Sequence, residues 1–156
     1  MKNKRKIIIL SIAIIVFGSL LTYKINQIHN NNIENAKQVK IINTYSEYKN
    51  TNDLKQLDSQ IMSLKNVSVS KHNTNLKDST AKNLERSMND KILAMENKLA
   101  KTNYKSYPEA GTAFDNLTFE VLSLKALNKE HKAKILEKIG TDKGFVASKL
   151  YQSKKE

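Results

Sequence analysis

The sequence predicts an all-α protein, and three observations carry the prediction. First, the 156 residues include only 4 Gly and 1 Pro, too few turn-formers for a sandwich of short strands. Second, apolar residues beyond residue 50 recur at spacings of three and four, the period of a helix face. Third, the chain opens with an uncharged apolar stretch, Ile7 to Tyr23. The expected architecture is an N-terminal transmembrane helix followed by an exported, elongated, antiparallel helical bundle.

The apolar stretch is IIILSIAIIVFGSLLTY, 17 residues without a charge. At a rise of 1.5 Å per residue it spans about 25 Å, against a hydrocarbon core of about 30 Å. Extending it to Ile25, with Lys24 snorkelling, closes most of the gap. The membrane-spanning residues are Ile7, Ile8, Ile9, Leu10, Ile12, Ile14, Ile15, Val16, Phe17, Leu20 and Leu21. Lys2, Lys4, Arg5 and Lys6 precede the run and set the topology, because cations flanking a span stay in the cytoplasm. Everything after residue 25 is then extracytoplasmic. The competing reading is a cleaved secretory signal, with Val16-Phe17-Gly18 as its best exit site. Leu20, Leu21 and Tyr23 continue the run past that site, which favours the uncleaved anchor. In either case the remainder of the chain is exported.

Composition narrows the class further. There is no Cys and no Trp, and aromatics make up 6%. An exported chain without Cys forms no disulfides, so its stability rests on aliphatic helix packing. The formal net charge is +12, and setting aside the four N-terminal cations leaves +8. A basic exported domain favours an anionic lipid or wall polymer, or an acidic protein. Nucleic acid is not expected, since the bases are scattered Lys with a single exported Arg, Arg86.

The organisation in order is a basic tail at 1–6, the signal-anchor at 7–25, a juxtamembrane helix and hinge at 26–50, the bundle at 51–151 and a disordered tail at 152–156. Asn30-Asn31-Asn32 are poor helix formers and mark a hinge or a frayed turn. Between 33 and 49 the apolar residues Ile33, Val39, Ile41, Ile42, Tyr45 and Tyr48 scatter around the helical wheel. These six form the candidate interaction surface, facing either several sides of the bundle or another molecule.

Asn50 to Asp53 supplies a break with N-cap residues. Leu54, Leu57, Ile61 and Leu64 then share one face of a helix over about 53–66. Val67 to Asn75 loses the period and reads as a loop. Ala81, Leu84, Met88, Ile92, Met95 and Leu99 define a long helix over 77–103, with both Met as core gap-fillers. A turn follows around Tyr104, Tyr107, Pro108 and Gly111, with two capping boxes on offer: Ser106 with Glu109, and Thr112 with Asp115. The next helix is expected to run without interruption to Ile139, through Ala110, Ala113, Phe114, Leu117, Val121, Leu124, Ile135 and Ile139. Gly140 stands where a C′ glycine belongs. Thr141-Asp142 would cap a short last helix carrying Phe145, Val146, Leu150 and Tyr151. The two longest helices, about 40 Å each, should fold back as an antiparallel hairpin.

No residue set meets the requirements of catalysis. There is no nucleophile elbow, no Gly-rich phosphate loop and no thiol. His29, His72 and His131 stand in no metal-ligand spacing. No catalytic residue, cofactor, metal or small-molecule substrate is expected. Asn128 and His131 would interrupt the apolar stripe between Leu124 and Ile135, either as a hydrogen-bonded polar layer or as a pH-sensitive contact. Asn66-Val-Ser68 and Asn116-Leu-Thr118 match a glycosylation sequon but recur by chance in an Asn-rich chain.

An N-terminal anchor followed by exported helices in a chain of this length resembles, in layout alone, the inner-membrane subunit of phage spanins and the helical sensor modules of chemoreceptors. No motif matches either, and a sensor needs a second span and a cytoplasmic output. The expected function is non-enzymatic: a membrane-anchored envelope protein that binds or scaffolds a protein partner. A subunit of a conjugation, secretion or phage-lysis machine, and a basic surface protein binding anionic polymers, are the alternatives.

Overall fold

The computed structural model describes the backbone of residues 2–153 and the side chains of 16–153. Among these residues there are five α-helices and no strand. They are α1 (Lys2–Ser46), α2 (Leu54–Asn66), α3 (Thr74–Lys101), α4 (Tyr107–Ser123) and α5 (Lys129–Gln152), with short 3-10 turns at Glu47–Asn50 and Lys71–Asn73. The all-helical expectation therefore holds.

The first helix is the longest, and Asn30, Asn31 and Asn32 run through its interior. The expected hinge is a continuous stretch of helix. Its side chains from Val16 to Glu34 are all exposed. Among the described residues no helix is long and apolar enough to cross a membrane. The side chains of Lys2, Lys4, Arg5, Lys6, Ile7, Ile8, Ile9, Leu10, Ile12, Ile14 and Ile15 lie outside the described residues, so the expected span and its topology signal fall largely there. Residues 154–156 of the expected tail lie outside as well, whereas Gln152 closes α5 and Ser153 is its C-cap.

Docking of α1 onto the rest begins at Asn35. Buried Asn73 donates from Nδ2 to the Asn35 carbonyl at 3.2 Å and to Gln38 Oε1 at 3.0 Å. The Ser70 hydroxyl donates to Asn35 Oδ1 and the Ser70 N–H to Gln38 Oε1, both at 2.8 Å. Fourteen residues further along from both Asn35 and Asn73, the Ser87 hydroxyl donates to the Lys49 carbonyl at 2.9 Å. Equal steps along the two segments mean that α1 and α3 run parallel and in register.

The shorter α2 returns antiparallel along the first half of α3, tied by Lys65–Glu85 at 2.6 Å. Its Asp53 N-cap accepts the Gln56 N–H at 3.0 Å, and Leu54, Leu57, Ile61 and Leu64 are buried as the spacing predicts. In its turn α4 descends along the second half of α3, where the Tyr104 and Phe114 rings lie 6.5 Å apart. Ser106 caps α4, weakly, accepting the Glu109 N–H at 3.5 Å. Glu109 reaches back to the Lys105 N–H at 3.0 Å, one residue earlier than a reciprocal capping box. Finally α5 rises beside α3 and α4. A single, mainly aliphatic core, centred on Leu57, Leu84, Met88, Ile92, Phe114, Val121 and Ile139, joins α2 to α5 and takes Ile42 from α1.

Four local expectations are corrected. The uninterrupted helix to Ile139 is in fact two, because α4 ends at Ser123 and α5 starts at Lys129. The break is held from outside. Asp58 Oδ1 accepts the N–H groups of Lys125 at 2.7 Å and Ala126 at 2.6 Å. The Lys132 ammonium donates to the Leu122 and Leu124 carbonyls, and Lys65 to that of Ala126 at 3.3 Å. Backbone groups freed by the break thus gain side-chain partners, while Leu124, Ala126 and Leu127 stay buried.

Gly140 does not end a helix. It lies inside α5 with no positive φ, because Ile135, Ile139 and Val146 keep one buried face on both sides of it. Lys138 spans the position, bonded to Glu96 on α3 and to Asp142 at 3.0 Å. Thr141 back-bonds to the Glu137 carbonyl rather than capping. Likewise Thr112 is an exposed interior residue of α4, and Asp115 pairs with Lys143 at 2.6 Å.

Candidate interaction surfaces

The residues singled out from sequence separate once they are placed. Ile42 is fully buried, and Tyr45 and Tyr48 pack half-buried against the core. Val39 is half-buried. These four have partners within the chain, which explains why the 33–49 segment shows no single apolar face: α1 touches α2, α3 and both 3-10 turns. Ile33 and Ile41 remain exposed. Ile41 lines an open groove together with the half-buried Tyr45 and Tyr48.

The exposed part of α1 ahead of Asn35, residues 16–34, is a stalk and carries the larger apolar surface. Val16, Phe17, Leu20, Leu21, Tyr23, Ile25 and Ile28 are all exposed. Ser19 and Thr22 donate to the Val16 and Gly18 carbonyls, each at 2.8 Å. Such back-bonding satisfies a hydroxyl within its own helix, as at Thr102 and Thr141.

Asn128 and His131 do not form a layer in the core. Asn128 is the N-cap of α5, and its Oδ1 accepts the His131 N–H at 2.8 Å. Both residues are exposed. The expected polar layer within a buried stripe is therefore corrected, because Asn128 and His131 stand at the exposed start of α5. His29 and His72 are exposed too. Among the described residues no three His, Asp or Glu side chains lie close enough to share a metal ion.

The polar features that sequence reasoning missed are internal. Glu96 is 1% exposed and is paired with Lys138 through Oε2, while Oε1 has no hydrogen-bond partner. Glu96 follows Ile92 by four, so the helix period places it at the edge of the buried face, but periodicity does not show that a carboxylate is enclosed there. Elsewhere, the Lys134 ammonium hydrogen-bonded to Glu130 holds that carboxyl below its usual range, and Glu130 raises Lys134 in return. Asp115 raises Lys143 in the same way. Both pairs are at the surface.

Apolar side chains are also exposed on the bundle. Phe119 and Leu122 share the outer face of α4, and Tyr107, Phe145 and Tyr151 surround the far end of α5. Phe119 and Leu122 lie outside the stripe of Leu117 and Val121, and that departure is legible on a helical wheel. No protein-family model, no curated protein and no solved structure matches this chain.

Proposed function

We propose that this protein is a non-enzymatic, membrane-anchored helical protein of the cell envelope, with its N-terminus cytoplasmic and its bundle outside, that works by binding another protein. The observation that carries the reading is the unbroken α1. Its apolar residues from Val16 to Ile28 are exposed, and among the described residues the side-chain clamp to the bundle begins at Asn35. A helix that leaves a long apolar surface uncovered needs a solvent other than water, or a partner. The sequence upstream, Ile7 to Ile15 behind Lys2, Lys4, Arg5 and Lys6, supplies the rest of a span and its orientation. Ile33 and Ile41, just above that span and exposed, are the positions proposed to meet a partner protein.

Reporter fusions behind Glu156 test the topology. An alkaline phosphatase fusion should be active and a fluorescent protein fusion that matures only in the cytosol should be dark. The reverse pattern overturns the reading. Photocrosslinking from Ile33 and Ile41 in the native envelope should give a discrete heteromeric adduct, and its absence at both positions would remove the partner surface.

A further inference from the structure

We propose that the end of the bundle farthest from the stalk is a second contact surface, one that docks on an anionic lipid bilayer. It goes beyond the anchor: the two surfaces lie at opposite ends of the molecule.

Chain direction places the surface. With α1 and α3 parallel and Ser87 level with Lys49, the end of α3 at Lys101 lies about 21 Å further on, and about 55–60 Å beyond Ile25. There α3 ends, α4 begins and α5 ends, so three helix termini form the tip. Two open grooves flank α5 and meet at Leu150. One, of about 490 Å³, lies between Lys101, Tyr104, Phe145 and Lys149. The other, of about 360 Å³, lies between Tyr107, Ala147 and Tyr151.

Two properties of the tip point to lipid. The first is aromatic exposure: Phe145 is 69% exposed, Tyr151 65% and Tyr107 51%. Rings that stand out of a helical end, two of them with a polar hydroxyl, match the boundary between headgroups and acyl chains. The second is charge. Across 100–109 and 143–153 four lysines stand against one acidic residue, Glu109, whose Oε2 accepts the Lys105 N–H. Lys101, Lys105 and Lys149 have no ion-pair partner among the described residues, and only Lys143 is taken, by Asp115. Exposed aromatics set among unneutralised lysines are the two signals that together hold a peripheral surface on anionic lipid.

The test uses the full chain inserted in phosphatidylcholine nanodiscs, mixed with free vesicles. Vesicles of phosphatidylcholine with phosphatidylglycerol should be recruited, and vesicles of phosphatidylcholine alone should not. Lys101→Glu with Lys149→Glu should lower recruitment by about tenfold or more, and Phe145→Ser by several-fold. Lys37→Glu with Lys82→Glu changes net charge equally at exposed sites away from the tip and should leave recruitment unchanged. The substituted side chains are all surface ones, and unaltered helical dichroism and melting confirm the fold. Loss of recruitment in the Lys37/Lys82 variant as well would overturn the tip as the site. Equal capture by polyglutamate beads, insensitive to Phe145→Ser, would overturn lipid in favour of an acidic polymer. A chain that fails to enter the discs refutes the anchor reading alone, and the same vesicles and variants then test the tip on the free chain.

Discussion

Asp58 on α2 accepts the backbone N–H of Ala126 at 2.6 Å, across 68 positions of sequence. The same oxygen takes the N–H of Lys125. One carboxylate, 9% exposed, thereby fixes where α4 stops and lets the chain turn into α5. Hydrogen bonds to a charged acceptor contribute about 1.5–3 kcal/mol each when measured by deletion. Asp58→Ala should therefore destabilise the protein by about 3 kcal/mol in urea titration. Asp58→Asn keeps an acceptor oxygen and should cost roughly half of that. Equal stability of Asp58→Ala and the parent would show that the break is held by apolar burial alone.

The Glu96–Lys138 pair makes a second, asymmetric prediction. Glu96 is enclosed, whereas the Lys138 side chain is 43% exposed and is shared with Asp142. Removing the lysine leaves a buried carboxylate with neither oxygen paired, at a cost of about 3 kcal/mol. Removing the carboxylate instead, as Glu96→Leu, leaves Lys138 free to turn to Asp142 and water and should be near neutral. Chemical denaturation of Lys138→Met and Glu96→Leu should thus give unequal losses, with the lysine variant the weaker protein.

Asn128→Ala should cost about 1 kcal/mol, the usual loss for an N-cap. His131→Ala should change stability by less than about 0.5 kcal/mol, as for other exposed positions. If His131 were the more sensitive of the two in thermal melts, its imidazole rather than its backbone N–H would be the functional group there.

The Asp115–Lys143 pair joins α4 to α5 at the surface, and Lys143 is raised from its ordinary value of 10.5. A raised lysine contributes stability that is fully present below its unfolded value and is lost as pH climbs through the folded one. Asp115→Asn should therefore be slightly less stable than the parent at pH 7, by about 0.5 kcal/mol for an exposed pair. The difference should shrink as pH rises from about 10 through the raised value of Lys143. Melting curves of the two proteins across that window should converge with rising pH, and a constant gap would exclude the ion pair as its source.

Gly140 and Gly144 both sit in mid-helix, and a methyl group added at either Cα would meet nothing within 4 Å. Gly140→Ala and Gly144→Ala should each stabilise the protein by about 0.5–1 kcal/mol, as read by urea midpoint. A loss at either position would mean that the neighbouring surface closes on that face in solution.

How much of this could be read from sequence depends on which groups decide each feature. The faces of α2 and α3 were legible because Leu54, Leu57, Ile61 and Leu64, and then Ala81, Leu84, Met88 and Ile92, repeat with the helix period and are buried where that period puts them. The starts at Asp53 and Ser106 were legible because a cap is a local interaction. The break at 124–128 was not, since its stabilising groups, Asp58 and Lys65, come from a helix more than 60 positions earlier in the chain, while Leu124 and Ile135 fall on one face of the helical wheel. Gly140 misled in the opposite direction: a residue typical of helix ends lies where packing on both sides outweighs its propensity. For the candidate surface, periodicity could not tell a segment that packs on several neighbours from one awaiting a partner, and only placement separated Ile42 from Ile33 and Ile41.

The polar clamp at Asn35 and Asn73 makes the stalk and the bundle mechanically one piece. A hinge would let the head wander over a hemisphere, but here the first helix sets its bearing and its height. Rolling or tilting the base would sweep the opposite tip through an arc several times larger, as a mast swings with its footing. Shortening the rod by a whole number of helical turns would lower that tip without rotating it, whereas deleting two residues would turn it to face the other way.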